Sequence, residues 1–334
     1  MLTACDVHEW PETPESVKFN LRLNYETNLT KWYHLLEKTD VIEEGYGETY
    51  DNHLQTGLIR YIVRAYPVWE KQRANQAYTK EFVFTKNIIE GYNHEVSLEL
   101  PEGEYNIMVW SDLVQKNKDP FFHNADNFAE IVLQGDHQGN TDYRDAFQGT
   151  GNIKLEAQIV EYIPSTYDIT MQRPLAKYEF QTTDLQEFYK EELEYLTKMA
   201  ESRGEELPTR VNTDNYKVKF VYAGYMPNTY NMYADKPVDS KMGVLFESKL
   251  NVLDENEASF GFDYVFVNHQ PTIVMVQIGL YDDKGRQVAL SNPIKVPLKR
   301  DFHTILRGTF LTQEASGGII INPDFDGNHN ITIE

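Results

Sequence analysis

The sequence predicts a mainly β protein made of two antiparallel β-sandwich domains, and three observations predict it. A length of 334 residues exceeds one ordinary sandwich and suits two units that each bury a core. Aromatic residues make up 13% of the chain, with 22 Tyr and 17 Phe, and such rings pack well on a pleated face. Several segments also alternate apolar and polar residues with the period of two that a half-buried strand requires.

The first such segment is Val17 to Glu26, where Val17, Phe19, Leu21, Leu23 and Tyr25 alternate with polar neighbours. Further strands are expected at Leu58 to Tyr66 and Glu81 to Thr85. A hairpin is expected where Val96, Leu98 and Leu100 lead through Pro101-Glu102-Gly103 to Tyr105, Ile107 and Val109. Lys116 to Gly151 is rich in Asn, Asp, Gly and Gln and reads as surface loops around an edge strand at Ile131 to Leu133. A strand returns at Ile153 to Ile159 and breaks at Pro164-Ser165. These marks divide the chain into a tether over 1–16, a first sandwich over 17–164 and a second over 165–334.

The second half opens with Tyr167 to Thr182, expected as one long strand kinked at Pro174. Thr183-Asp184 then supplies an N-cap for a helix at about 184–201, an insertion on the second sandwich, with Leu185, Phe188, Leu193, Leu196 and Met199 near helical spacing. Its acids Glu187, Glu191, Glu192 and Glu194 read as a solvated face. Alternation resumes at Tyr216 to Tyr222, Phe260 to Phe266 and Val274 to Leu280, and Asp282-Asp283-Lys284-Gly285 turns back to Val288 and Leu290.

Charge and motifs narrow the chemistry. The formal charge is −21, from 31 Lys plus Arg against 52 Asp plus Glu. Such a surface repels phosphate, so no nucleic-acid partner is expected. No apolar run approaches a transmembrane helix. The sequence holds no G-x-S-x-G elbow, no Walker A loop and no G-x-G-x-x-G turn. The nine histidines never fall at H-x-H or H-x-x-x-H spacing. Asp136, His137 and Asp142, and Asp324, Asp326 and Asn328, offer oxygen ligands, but turn chemistry accounts for both groups without a metal. The expectation is a protein that is not an enzyme and carries no cofactor or metal.

The one cysteine, Cys5, follows Leu2-Thr3-Ala4, and Leu-Thr-Ala-Cys resembles the lipobox of bacterial lipoproteins. That resemblance implies lipidation at Cys5, contact with a membrane through the lipid alone, and a leader preceding Met1. Stable anchoring of that kind takes more than one acyl chain.

A wider resemblance rests on five runs in order. They are MQRPLAKYEFQTTD (Met171 to Asp184), YKVKFVYAGYMPNTYNM (Tyr216 to Met232), FGFDYVFVN (Phe260 to Asn268), VPLKRDFHTILRGTFLT (Val296 to Thr312) and GGIIINPDFDGNHNITI (Gly317 to Ile333). Weaker matches are LPEGEYNIMVWSD (Leu100 to Asp112) and DYRDAFQG (Asp142 to Gly149). Together they resemble the fimbrillin-like surface lipoproteins of Bacteroidales. The resemblance implies transthyretin-like sandwiches, a place at the outer membrane and in a fimbrium, and a structural or adhesive pilus subunit. It implies other pilin subunits as partners, joined by β-strand addition after an arginine-specific protease opens a groove. Arg22, Arg60 and Arg64 are the candidate cleavage points. A host or bacterial surface protein or glycan would be the adhesive target.

Two readings of the chain ends stay open. Val17 to Tyr25 is either a removable strand or an ordinary first strand. Ile319, Ile321, Ile331 and Ile333 belong either to a donor strand or to strands of their own domain. An alternative function is a surface lipoprotein that binds glycan for nutrient uptake, with Trp10, Trp32, Trp69 and Trp110 as stacking rings.

Overall fold

The structure, a computed structural model, describes residues 16–52, 57–68, 80–88, 94–114, 122–156 and 164–312. The strands of the first half are β1 (Ser16–Tyr25), β2 (Asn28–Glu37), β3 (Asp40–Asp51), β4 (Gly57–Pro67), β5 (Lys80–Ile88) and β6 (Glu95–Pro101). They continue with β7 (Gly103–Val114), β8 (His123–Asn124), β9 (Ile131–Leu133) and β10 (Ala146–Leu155). The second half holds β11 (Ser165–Met171), β12 (Leu175–Thr182), the helix α1 (Leu185–Arg203), β13 (Tyr216–Tyr222), β14 (Met226–Asn231) and β15 (Lys236–Lys241). It closes with β16 (Leu245–Lys249), β17 (Asn251–Val252), β18 (Ala258–Phe266), β19 (Thr272–Asp282), β20 (Gln287–Leu290), β21 (Ile294–Leu298) and β22 (Phe302–Gly308).

Two sandwiches form, as the alternation predicts. The first faces a sheet of order β11-β1-β6 against one of order β10-β7-β4-β5. Val17, Phe19, Leu21 and Leu23 from β1 meet Ile59, Tyr61, Val63, Ile107 and Val109 in one core. The second faces β17-β18-β12-β22-β2-β3 against β16-β13-β19-β20, with β21 also on β19. Tyr178, Phe180, Phe220, Phe260 and Ile278 fill its interior, where Phe220 stacks on Phe246 at 4.4 Å. A small sheet, β15-β14-β9-β8, lies against both. Its Ile131 and Tyr230 share a third core with Ile62 and Trp110 of the first sandwich and Phe266 of the second. β4 and β7 are thus buried on both faces, which is why apolar residues run almost unbroken along them.

Several local expectations change. β6 and β7 do not form a hairpin. The turn at Gly103, with φ 149, carries the chain from β6, which pairs with β1, to β7, which pairs with β4 and β10. Both strands face one core from opposite sheets, so each shows the alternation of a hairpin arm. Tyr167 to Thr182 is two strands, not one: β11 pairs with β1 and β12 with β18 and β22. Pro174 has no N–H for a ladder, and the sheets part at that residue. β9 is not an edge, because it lies between β8 and β14. Most pairings are antiparallel, but β1/β11, β2/β22 and β12/β22 run parallel.

Sheet membership does not follow chain order across residue 164. β11 lies beyond it and completes the first sandwich, while β2 and β3 lie before it and extend the second.

Candidate functional site: the seat of the first strand

β1 fills a slot. In register, Phe19 to Tyr25 run parallel to Ser165 to Met171 on one side, and Ser16 to Arg22 run antiparallel to Pro101 to Glu95 on the other. Phe19 and Leu21 are fully buried, and Val17 and Leu23 nearly so. Burying four such side chains contributes roughly 6–12 kcal/mol at about 1.5–3 kcal/mol each. That is comparable to the entire stability of a typical domain, about 5–15 kcal/mol, so an empty slot would leave the first sandwich near its unfolding threshold. The outward face is held by polar contacts: Ser16 donates to Glu99 at 2.6 Å, Ser97 to Asn20 at 2.7 Å and Asn24 to Asp168 at 3.0 Å. Beyond the apolar stripe, the Tyr25 hydroxyl reaches Ser111 of the facing sheet at 2.7 Å.

The three candidate arginines occupy different surroundings. Arg22 sits on the outward face of β1, its side chain 45% exposed, between Glu95 at 3.7 Å and Asp168 at 3.6 Å. Arg60 and Arg64 lie on β4, flanked by β5 and β7. Arg60 makes a two-point contact with Asp112, at 2.8 and 2.5 Å, and donates to the His123 carbonyl at 2.9 Å. Arg64 pairs with Glu81 at 2.5 Å and lies over the Phe128 ring. Both side chains are buried. Burial pushes the Asp112 carboxyl up, but His123, whose Nδ1 lies 3.6 Å away, and the two-point contact with Arg60 outweigh it and hold the group below its ordinary range. Cys5 and Ile319, Ile321, Ile331 and Ile333 lie outside the described residues.

Where the chain crosses between sandwiches, a polar clamp fixes the geometry. Arg173, fully buried between β11 and β12, donates through Nε to both carboxylate oxygens of Asp145, at 3.0 and 2.9 Å. Its remaining nitrogens reach the carbonyls of Thr27 at 2.8 Å, Glu26 at 3.3 Å and Asn52 at 3.1 Å. Thr27 is the crossover from β1 to β2, so one guanidinium holds both strand exits. The turn 142–145 supplies the matching charges. Asp142 accepts from Lys177 at 2.9 Å and Tyr264 at 2.5 Å, and Arg144 pairs with Asp263. Asp263 also accepts from the Tyr222 hydroxyl at 2.7 Å and lies 2.6 Å from His137. Burial pushes Asp263 up, yet Arg144 and His137 more than offset this and hold it low. Arg173 and Asp145 were not singled out as site residues from sequence; their signal was their presence in the MQRP and DYRD segments.

These carboxylates are saturated by cations and hydroxyls, an arrangement that fixes position. Among the described residues, no group of three or more His, Cys, Asp or Glu is placed to hold a metal ion. The helix acids divide. Glu187, Glu191 and Glu194 are exposed, whereas Glu192 is buried, accepting from Tyr216 at 2.8 Å and pairing with Arg286. Asp184 does not cap α1 with its side chain. Its carboxylate instead accepts from the backbone N–H groups of Leu311 at 3.1 Å and Thr312 at 2.9 Å. Of the tryptophans, Trp110 is fully buried and Trp32 nearly so, which makes both core rings, while Trp10 and Trp69 lie outside the described residues.

The fold and the slot define a two-sandwich, mainly β protein whose strand β1 is held by sheet pairing on both sides. The chain belongs to a family of unknown function, DUF6562, whose model matches residues 12–334. No curated protein matches it significantly. Among solved structures it is similar to a candidate polysaccharide-binding protein of Bacteroides thetaiotaomicron, at 11% identity over 82% of this chain and 80% of that one, TM-score 0.44. It is similar as well to the fimbrial anchor protein Mfa2 of Porphyromonas gingivalis, at 11% identity over 82% of each chain, TM-score 0.38. A candidate cell adhesion protein of Bacteroides eggerthii is similar at 11% identity over 91% of this chain and 90% of that one, TM-score 0.41.

Proposed function

We propose that this chain is a structural or adhesive subunit of a surface fimbrium, without enzymatic activity, whose first sandwich accepts a strand from a neighbouring copy in the seat of β1. The observation that carries it is that seat. One strand supplies a whole apolar stripe to the core and is paired along both edges, so its removal exposes a groove and two ladders that an incoming strand satisfies.

Within this reading Arg22 is the cleavage point. A cut there releases Val17, Phe19 and Leu21 with the preceding chain and leaves β2 and β3 seated in the second sandwich. A cut at Arg60 or Arg64 would divide β4, which is paired on both sides with β5 and β7, at an arginine whose side chain is buried. The donor is the C-terminal run from Gly317 to Ile333, whose Ile319, Ile321, Ile331 and Ile333 replace the lost apolar side chains. Cys5 carries the lipid that places the uncleaved precursor at the outer membrane, and the cut at Arg22 frees the subunit from it.

A fluorescent peptide spanning residues 317–334 tests the reading. It should bind the protein after arginine-specific proteolysis and not before. Equal binding to both forms, or to neither, contradicts it.

A further inference from the structure

β3 ends the six-stranded sheet of the second sandwich. Among the described residues it pairs along its 12 residues with β2 alone, so its other edge is open. We propose that this edge binds a basic, extended segment of a partner protein, which adds to the sheet as a further strand. The proposal does not depend on strand exchange, since the edge lies on the other sandwich and is open in the intact chain.

The edge overhangs its own core. Across the sheet Tyr178, Thr304, Trp32 and Tyr46 stand side by side in register, so they share the inward face. The facing sheet covers the first two: Tyr178 is in the core, and Thr304 donates to the Pro297 carbonyl of β21 at 2.7 Å. Tyr46 lies past that cover and is 63% exposed, stacked on Trp32 at 6.0 Å and set edge-on to Phe302 at 5.9 Å. Val41 and Ile42 are exposed too, and no residue of β3 is buried. A long edge that offers apolar side chains beside an unpaired row of backbone groups is a template for another strand.

Charge selects the partner. β3 carries Asp40, Glu43, Glu44, Glu48 and Asp51 and no Lys or Arg. A second copy of the chain does not fit, because symmetric antiparallel pairing about Gly45 and Tyr46 sets Glu43 against Glu48 and Asp40 against Asp51. Like charges directly opposite each other destabilise a ladder. A strand bearing Lys or Arg instead meets Glu43 and Glu44 as Lys31 of β2 meets Glu48, at 2.7 Å. Gly45 adds a matching shape. At Gly47 an added Cβ would lie 2.5 Å from the Tyr33 ring, so the fold itself requires that glycine. At Gly45 it would meet nothing within 4 Å, and the backbone there is not left-handed. Glycine at such a strand position leaves room for a large side chain of an approaching chain.

The test probes the intact full chain with an array of peptides of about ten residues, with Lys at alternate positions and Val, Ile, Thr or Tyr between them. Control peptides carry Glu in place of Lys, or keep every Lys and place Pro at internal positions, where it blocks a ladder. Basic peptides should bind and slow hydrogen exchange of the β3 amides, and neither control should do so. Glu43→Lys combined with Glu44→Lys, both at exposed positions, should weaken that binding about tenfold or more with Tm unchanged. Equal binding of the proline controls would show attraction by charge alone. No binding to any basic peptide would show that the acids only keep copies of the chain apart. Either result overturns the proposal, as does binding that the double substitution leaves intact. Polymerisation after proteolysis is scored separately, so either result stands without the other.

Discussion

Arg173 meets Asp145 with its Nε within 3.0 Å of both carboxylate oxygens, and neither side chain is more than 3% exposed. The pair joins the connection between β11 and β12 to the turn before β10, and through Thr27 and Asn52 it also holds the ends of β1 and β3. Arg173→Ala strands a buried carboxylate and frees three carbonyls, which should cost about 3–5 kcal/mol. Asp145→Ala added to it should restore part of that loss, because the unpaired charge is then gone. Urea melts of the two single variants and the double variant measure this, and strictly additive losses would show that the two groups do not act together.

The β1 seat predicts an asymmetry along one strand. Phe19→Ala should lower stability by about 3–5 kcal/mol, as large cavities in a core do. Lys18→Ala, one residue away on the open face, should stay within about 0.5 kcal/mol. Similar losses at both positions would mean that the stripe is not the core.

Helix α1 gives a second contrast. Replacing Glu187, Glu191 and Glu194 together with Gln should leave Tm nearly unchanged, since exposed, solvent-screened charges contribute little to stability. Glu192→Gln alone should cost more, about 1.5–3 kcal/mol, by weakening buried bonds to Arg286 and Tyr216. Differential scanning calorimetry of the two variants ranks them, and the reverse order would contradict the buried placement of Glu192.

Stability should fall on mild acidification. Burial pushes the imidazoles of His123, His137 and His303 below the ordinary value of 6.5. They are faced by Asp112 and Arg60, by Asp263, Arg144 and Lys241, and by Glu179, Lys177 and Lys31 respectively. A folded state that resists protonation keeps its full advantage above the unfolded value. It loses about 1.4 kcal/mol per histidine per pH unit as pH drops below that value towards the folded one. The depressed carboxyls Asp112, Asp263 and Glu179 act lower, their contribution lasting until pH falls below about 4. Thermal melts from pH 7.5 to 5 should show a declining Tm, less steep in His137→Gln. A flat profile over that range would contradict neutral buried histidines.

Alternation made β1, β13, β18 and β19 legible, because each places an apolar face on a core, whereas β4, buried on both faces, showed as an almost continuous apolar run. β2 and β3 were not legible: β3 exposes almost every residue, including Val41, Ile42 and Tyr46, so it carries no alternating signal. Which sheet a strand joins was also beyond reach. β6 and β7 show the same pattern whether they pair with each other or face each other, and nothing within Tyr167 to Thr182 says that its halves belong to different sandwiches. The clamp was hidden for a related reason, since Asp145, Arg173 and Asp263 are scattered in sequence and meet only after the crossovers are made.

Strand exchange at the β1 seat is tested most directly by size-exclusion chromatography of three samples. These are the intact chain, the chain after arginine-specific proteolysis, and the proteolysed chain lacking residues 328–334. Exchange predicts a ladder of oligomers in the proteolysed full-length sample alone, with cleavage mapped after Arg22 by mass spectrometry. A folded monomer or an unfolded product in that sample, or a ladder that survives the C-terminal deletion, would contradict it.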